Sequence, residues 1–137
     1  MTARRLVVDG MNVIGSRPDG WWRDRPAAMD TLVRDLDAVA RAWDSVTVVF
    51  DGRPRAGLDG SLVEVVFARR PGRDAADDRI VELVGAADDP GDLVVVTSDR
   101  LLGDRVRAVG AGVVPVGWLR ARMGDPARDG APGFRSP

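Results

Sequence analysis

The sequence predicts one α/β domain, a mainly parallel sheet of about five strands with helices on both faces. Two observations carry that prediction. Leu6-Val7-Val8, Val46-Thr47-Val48-Val49-Phe50 and Leu93-Val94-Val95-Val96 are short runs of β-branched and apolar residues without sustained polar alternation, as in strands buried on both faces. Each run then ends in an acid, at Asp9-Gly10, Asp51-Gly52 and Thr97-Ser98-Asp99. In a parallel sheet all strand carboxyl ends lie on one edge, so acids far apart in sequence meet there.

After the first run, Met11-Asn12-Val13-Ile14 is apolar except for Asn12, the only asparagine of the chain. Ser16 to Arg25 is a loop rich in Gly, Pro and charge, with Trp21-Trp22 at its centre. Pro26 suits the first turn of a helix to about Trp43, in which Met29, Leu32, Val33, Leu36, Val39 and Ala40 recur at helical spacing. Arg53 to Gly60 is turn-rich, and Leu62 to Ala68 reads as a third strand. Asp74 is placed to cap a helix from Ala75 to about Ala86, with Ile80, Leu83 and Val84 facing inward. Asp88 to Asp92 forms a turn before the Leu93 strand, and a helix from Arg100 to Val109 follows it, with Gly110 near its end. Val113-Val114-Pro115-Val116 is a short last strand whose proline suits an edge, and Trp118 to Met123 a final helical turn. Residues 1–124 form the expected domain. The remainder, 125–137, is dominated by Asp, Pro, Gly, Arg and Ser and is expected to be a disordered tail.

The 137 residues, 45% of them hydrophobic, suffice for one ordinary core. No run approaches the roughly 18 apolar residues of a membrane span. Met1-Thr2-Ala3-Arg4-Arg5 leads straight into the first strand without a secretory apolar stretch, so a cytoplasmic location is expected. Cys and His are absent, which excludes thiol and imidazole chemistry and metal ligation by either. Lys, Tyr and Gln are absent too, and every acid except Glu64 and Glu82 is an Asp. Site chemistry must therefore come from carboxylates, Ser and Thr, one amide, Arg and backbone. The formal charge of −1 predicts no global attraction to nucleic acid, so RNA contact requires a local arginine patch.

Taken singly, the acids have structural alternatives that stay open: an Asx turn or N-cap at Asp9, Asp51 and Asp99, a cap at Asp74, and favourable helix-dipole positions at Asp77 and Asp78. Asp104 reads as solvated. Taken together they repel, by on the order of 1 kcal/mol for each close pair at intermediate dielectric. A divalent cation relieves that conflict. Mg²⁺ takes octahedral oxygen ligands and keeps several waters, which suits a few Asp residues and a substrate phosphate, and such a site hydrolyses phosphodiesters without His or Lys.

Val-Val-Asp-Gly-Met-Asn-Val-Ile at 7–14, Val-Val-Phe-Asp-Gly at 48–52, Ala-Asp-Asp-Arg-Ile at 76–80 and Val-Val-Thr-Ser-Asp-Arg at 95–100 resemble, in order and spacing, the motifs of the YacP-like NYN family of PIN-like nucleases. The resemblance covers roughly residues 5–123. It implies a three-layer α/β/α, Rossmann-like PIN fold and an endoribonuclease dependent on Mg²⁺ or Mn²⁺. Carried over, it implies Asp9, Asp77 and Asp99 as metal ligands, Asn12 as a supporting amide, Asp78 as a second possibility for the helix acid, Ser98 as a contact to metal-bound water or phosphate, and Asp51 as a peripheral acid. Met11 departs from the family, which commonly has an aromatic there.

Arg53, Arg55, Arg69, Arg70 and Arg73 lie on loops expected to rim the same edge, as phosphate contacts or as charge balance for the acids. Trp21 and Trp22 are placed either to stack bases or to pin their loop. RNA is the expected partner, with ribosome or RNA-processing machinery as a further one, and edge residues Val114 and Val116 permit a homodimer. The alternative function is a non-catalytic RNA-binding module. A phospho-acceptor or haloacid-dehalogenase-like phosphatase shares the strand-Asp endings but uses a site lysine, which this chain lacks.

Overall fold

A computed structural model describes residues 4–55, 57–58, 62–72 and 74–124. Arg73 and the expected tail lie outside the described residues. The five strands are β1 (Arg5–Asp9), β2 (Ser45–Phe50), β3 (Val63–Phe67), β4 (Leu93–Val96) and β5 (Gly112–Val114). They form one all-parallel sheet in the order β3-β2-β1-β4-β5. The helices are α1 (Gly10–Gly15), α2 (Arg25–Ala40), α3 (Ala75–Gly85), α4 (Arg100–Val109) and α5 (Val116–Arg122).

The unbroken apolar runs have the cause inferred for them. Leu6 and Val8 of β1 join one core with Val46, Val48 and Phe50 of β2, under Leu32 and Leu36 of α2 and Leu119 of α5. Val7, Val49 and Val95 point the other way, into a second core with Ile80 and Val84 of α3 and Leu102 and Val106 of α4. Successive residues of a strand face opposite sides, so a strand covered on both faces is apolar throughout. The result is the three-layer α/β/α architecture, with β1 at its centre and the switch of chain direction between β1 and β4.

Element ends follow local chemistry. The Asp24 side chain accepts from the Ala27 N–H at 3.1 Å and starts α2 one residue before Pro26. That helix stops at Ala40, and Trp43 lies beyond it, edge-on to Trp118. The last strand is shorter than expected. It stops at Val114, Pro115 becomes the N-cap of α5, and Val116 is the first residue of that helix and 8% exposed. Val116 therefore offers no sheet edge to a second copy, because a proline has no N–H for the ladder and fits a helix start.

Gly10 lets α1 leave β1 directly beneath β2. A Cβ there would lie 2.5 Å from Phe50 Cε1 and 2.9 Å from the Val49 carbonyl oxygen. Gly10→Ala is expected to lower stability by about 1–3 kcal/mol through overpacking. Gly15→Ala meets nothing within 4 Å and serves as the neutral control. Denaturant midpoints of the two variants check the contrast.

Candidate active site

The carboxyl edge of the sheet receives Asp9 from β1 and Asp99 from the turn after β4, with Asp77 on the first turn of α3 electrostatically coupled to both. Asp9 is 5% exposed. It occupies the N-cap position of α1, where its side chain makes no cap hydrogen bond of ordinary geometry. Thr97, 2% exposed, donates its hydroxyl to Asp9 Oδ2 at 2.8 Å and accepts the Asp99 N–H at 3.1 Å. That hydroxyl ties the two strand-end acids into one unit. Thr97 is the site residue the sequence analysis missed, and its signal is a hydroxyl ending a strand otherwise built of Leu and Val.

Burial pushes the Asp9 carboxyl up to about 6 from 3.8; the Thr97 hydrogen bond and the nearby Asn12 backbone pull it down, while Asp77 and Asp99 raise it further. Asp77 is also raised to about 6, by burial first, then by Asp99 and Asp74, with Arg105 opposing and Asp78 adding. Two carboxyls raised by burial at one edge mark that edge as the candidate site. Asp99 Oδ1 accepts the Leu102 N–H at 3.0 Å and so caps α4, which leaves Oδ2 for other contacts.

Asn12 and Ser98 hold the frame together. Asn12 Oδ1 accepts the Ser98 N–H at 2.8 Å, and Ser98 Oγ accepts the Val116 N–H at 3.0 Å, so α1, the turn after β4 and α5 are stapled at this edge. That bond leaves the Asn12 NH₂ group and a second lone pair of its oxygen for further contacts.

The adjacent acids are set apart by arginines. Asp51 bonds Arg25 Nη2 at 2.6 Å, and that guanidinium also lies 3.5 Å from Met11 Sδ. Asp78 is held between Arg70 and Arg105, the latter at 3.1 Å. Among the described residues no arginine forms an ion pair with Asp9, Asp77 or Asp99.

The expected phosphate contacts are similarly sorted. Arg55 bonds Asp30 at 3.1 Å and the Pro26 carbonyl at 3.2 Å, Arg69 bonds Glu82 at 2.9 Å, and Arg53 is exposed. A groove of about 360 Å³ leads from Asp99 along α4 past Arg100, Asp104 and Arg107. Neither arginine was among the expected contacts; Arg100 directly follows Asp99 in the chain, and Arg107 lies 3.6 Å from Asp104. Trp21 packs against the α2 side of the core, and Trp22 stays 60% exposed.

The three-layer α/β/α fold, with its all-parallel sheet and candidate site at the carboxyl edge, is the nuclease-type PIN-like fold of the family whose model matches the chain. The chain belongs to the YacP-like NYN domain family, which matches residues 6–128. It is similar to the crystal structures of Rae1 (YacP) from Bacillus subtilis. The W164L mutant aligns with a TM-score of 0.74 at 26% identity, covering 92% of this chain and 78% of that one. A second structure of Rae1 aligns with a TM-score of 0.71 at 27% identity, covering 90% and 75%. No curated protein sequence matches. Among the described residues no helix is long and apolar enough to cross a membrane.

Proposed function

We propose that the chain is a divalent-metal-dependent endoribonuclease that hydrolyses RNA phosphodiester bonds at Asp9, Asp77 and Asp99. One observation carries the proposal: these three acids form no ion pair with an arginine among the described residues, while Asp51 and Asp78 beside them do. Burial and neighbouring acids disfavour the ionised forms of Asp9 and Asp77, and a cation beside them would reverse that preference.

The donor set suits Mg²⁺ or Mn²⁺, since hard carboxylate oxygens are its only acidic ligands. Among the described residues no three acids form a ready-made cation cage. That fits an ion bound by one or two carboxylates together with water and substrate phosphate, the usual Mg²⁺ arrangement. Bound there, the ion would polarise the phosphate and lower the pKa of water. The chain's own part is to aim the carboxylates: Thr97 fixes Asp9 through Oδ2, the Leu102 N–H fixes Asp99 through Oδ1, and Asn12 keeps the two strand ends in register. Arg100 and Arg107 lie where a flanking phosphate would pass.

The open spacing of the acids also favours a second reading, a non-catalytic RNA-binding module attached to ribosome or RNA-processing machinery. Cleavage of labelled single-stranded and structured RNA at ~150 mM salt separates the two, because mere charge attraction weakens steeply there. Cutting is expected with Mg²⁺ or Mn²⁺, none in EDTA, and none by Asp99→Asn. Salt-sensitive binding that persists in EDTA, with no cutting under either metal, would establish the binding module instead.

A further inference from the structure

We infer that Trp22 is a base-stacking residue that selects unpaired RNA for the acid site; this rests on the proposed action on RNA. The turn Trp21–Arg23 is built to hold that ring outward. Gly20, at φ +75°, starts it, the Arg23 N–H donates to the Gly20 carbonyl at 3.0 Å, and the Asp24 N–H donates to the Trp21 carbonyl at 3.1 Å. Trp21 anchors the turn in the core and meets Trp22 edge-on, with ring centroids 6.0 Å apart and planes at 88°. Trp22 is thus mounted on a rigid base and yet 60% exposed. An indole left in water forgoes the stabilisation of burial, which its neighbour in the chain obtains in part.

The arginine beside it lies loosely over that ring. Arg122 closes to 3.9 Å over Trp118, a packed structural pair, whereas Arg23 stands 5.7 Å from the Trp22 centroid, near the outer limit of a cation–π contact. A loosely covered aromatic face with a cation beside it matches a base and its phosphate. The turn leads directly into Arg25, whose guanidinium rests on Asp51 at the end of β2 and beside Met11, two residues from Asp9. The platform is therefore joined through Arg25 to the β2 flank of the acid site. The groove with Arg100 and Arg107 leaves on the β5 flank. Bases of a duplex are already stacked on their neighbours, so such a platform accepts a single strand or a loop and not the interior of a helix.

The test uses the full chain, with Trp22→Ala and Trp22→Phe compared on single-stranded and duplex RNA carrying one 2-aminopurine. Binding is read in EDTA by 2-aminopurine fluorescence, and cleavage in Mn²⁺ as KM and kcat separately. For single-stranded RNA, Trp22→Ala is expected to raise Kd and KM by about 5- to 150-fold, with Trp22→Phe restoring most of the loss and binding to duplex little changed. Trp22-dependent binding without any cleavage upholds the platform and overturns the nuclease. Cleavage with unaltered KM in Trp22→Ala overturns the platform and leaves the nuclease standing. Equal losses on single strand and duplex, or failure of the parent to bind RNA, overturn the inference.

Discussion

Asp9→Asn is expected to abolish RNA cleavage, by on the order of 10³- to 10⁴-fold in kcat/KM, as when one member of a cooperating catalytic set is removed. The same substitution is expected to make the protein more stable at pH 7.5. The two effects have one cause. The folded Asp9 carboxyl titrates at about 6 against an ordinary value of 3.8. From pH 4 to about 6 the folded state holds this proton and the unfolded chain releases it, so stability falls as pH rises and the full penalty is present above about 6. That gap corresponds to about 3 kcal/mol, an order-of-magnitude figure. Asn keeps the shape and an acceptor for the Thr97 hydroxyl but carries no charge. Thermal unfolding at pH 7.5 and pH 4 checks this: the variant gains at the higher pH and not at the lower. A variant less stable than the parent at both values would make Asp9 a structural residue and remove the strained carboxylate on which the site is built.

Thr97→Val probes the same unit from the other side. Losing the hydroxyl leaves Asp9 Oδ2 without its donor, so the carboxyl would be raised further, and the cleavage-pH profile should move to higher pH while the protein stays folded.

The sheet was readable from sequence because its central strands are covered on both faces, which forces apolar residues at every position and makes Asp9, Asp51 and Asp99 stand out as endings. What the endings do was not readable. Asp51 is neutralised by Arg25 from a helix 26 residues earlier in the chain, and nothing local to either residue announces that pair. Asp9 carries the same Asp-Gly signature and remains unpaired because its neighbour across the sheet is Thr97, 88 residues away. The two tryptophans are adjacent in sequence and chemically identical, yet one packs against the core and the other is exposed, since a tight turn sends consecutive side chains in different directions. The end of the last strand was misplaced because Pro115 serves an edge strand and a helix start equally well, and only the docking of α5 against α1 decides between them.

Asp77 and Asp78 pose the sharpest case. They are consecutive residues on the first turn of α3, equally favoured there by the helix dipole, and about 100° of helix rotation separates them. That rotation turns Asp77 toward Asp9 and Asp99 and turns Asp78 toward Arg70 and Arg105. Asp77→Asn is therefore expected to reduce cleavage on the order of 10²- to 10³-fold, by analogy with loss of one preorganised electrostatic group. It should also flatten the acid side of the pH profile, because the parent needs Asp77 and Asp9 ionised and its rate should climb through about pH 6. Asp78→Asn gives up ion pairs at a partly exposed position, each worth about 0–1 kcal/mol, and should leave the rate within a fewfold of the parent. The comparison holds the helix, the residue type and the substitution constant, so only the direction of the side chain differs. Single-turnover cleavage by the two variants over pH 5–8, with denaturant midpoints as a folding control, decides it. If Asp78→Asn is the inactive one, the helix acid of the site is Asp78, with Arg70 and Arg105 its partners in the absence of RNA.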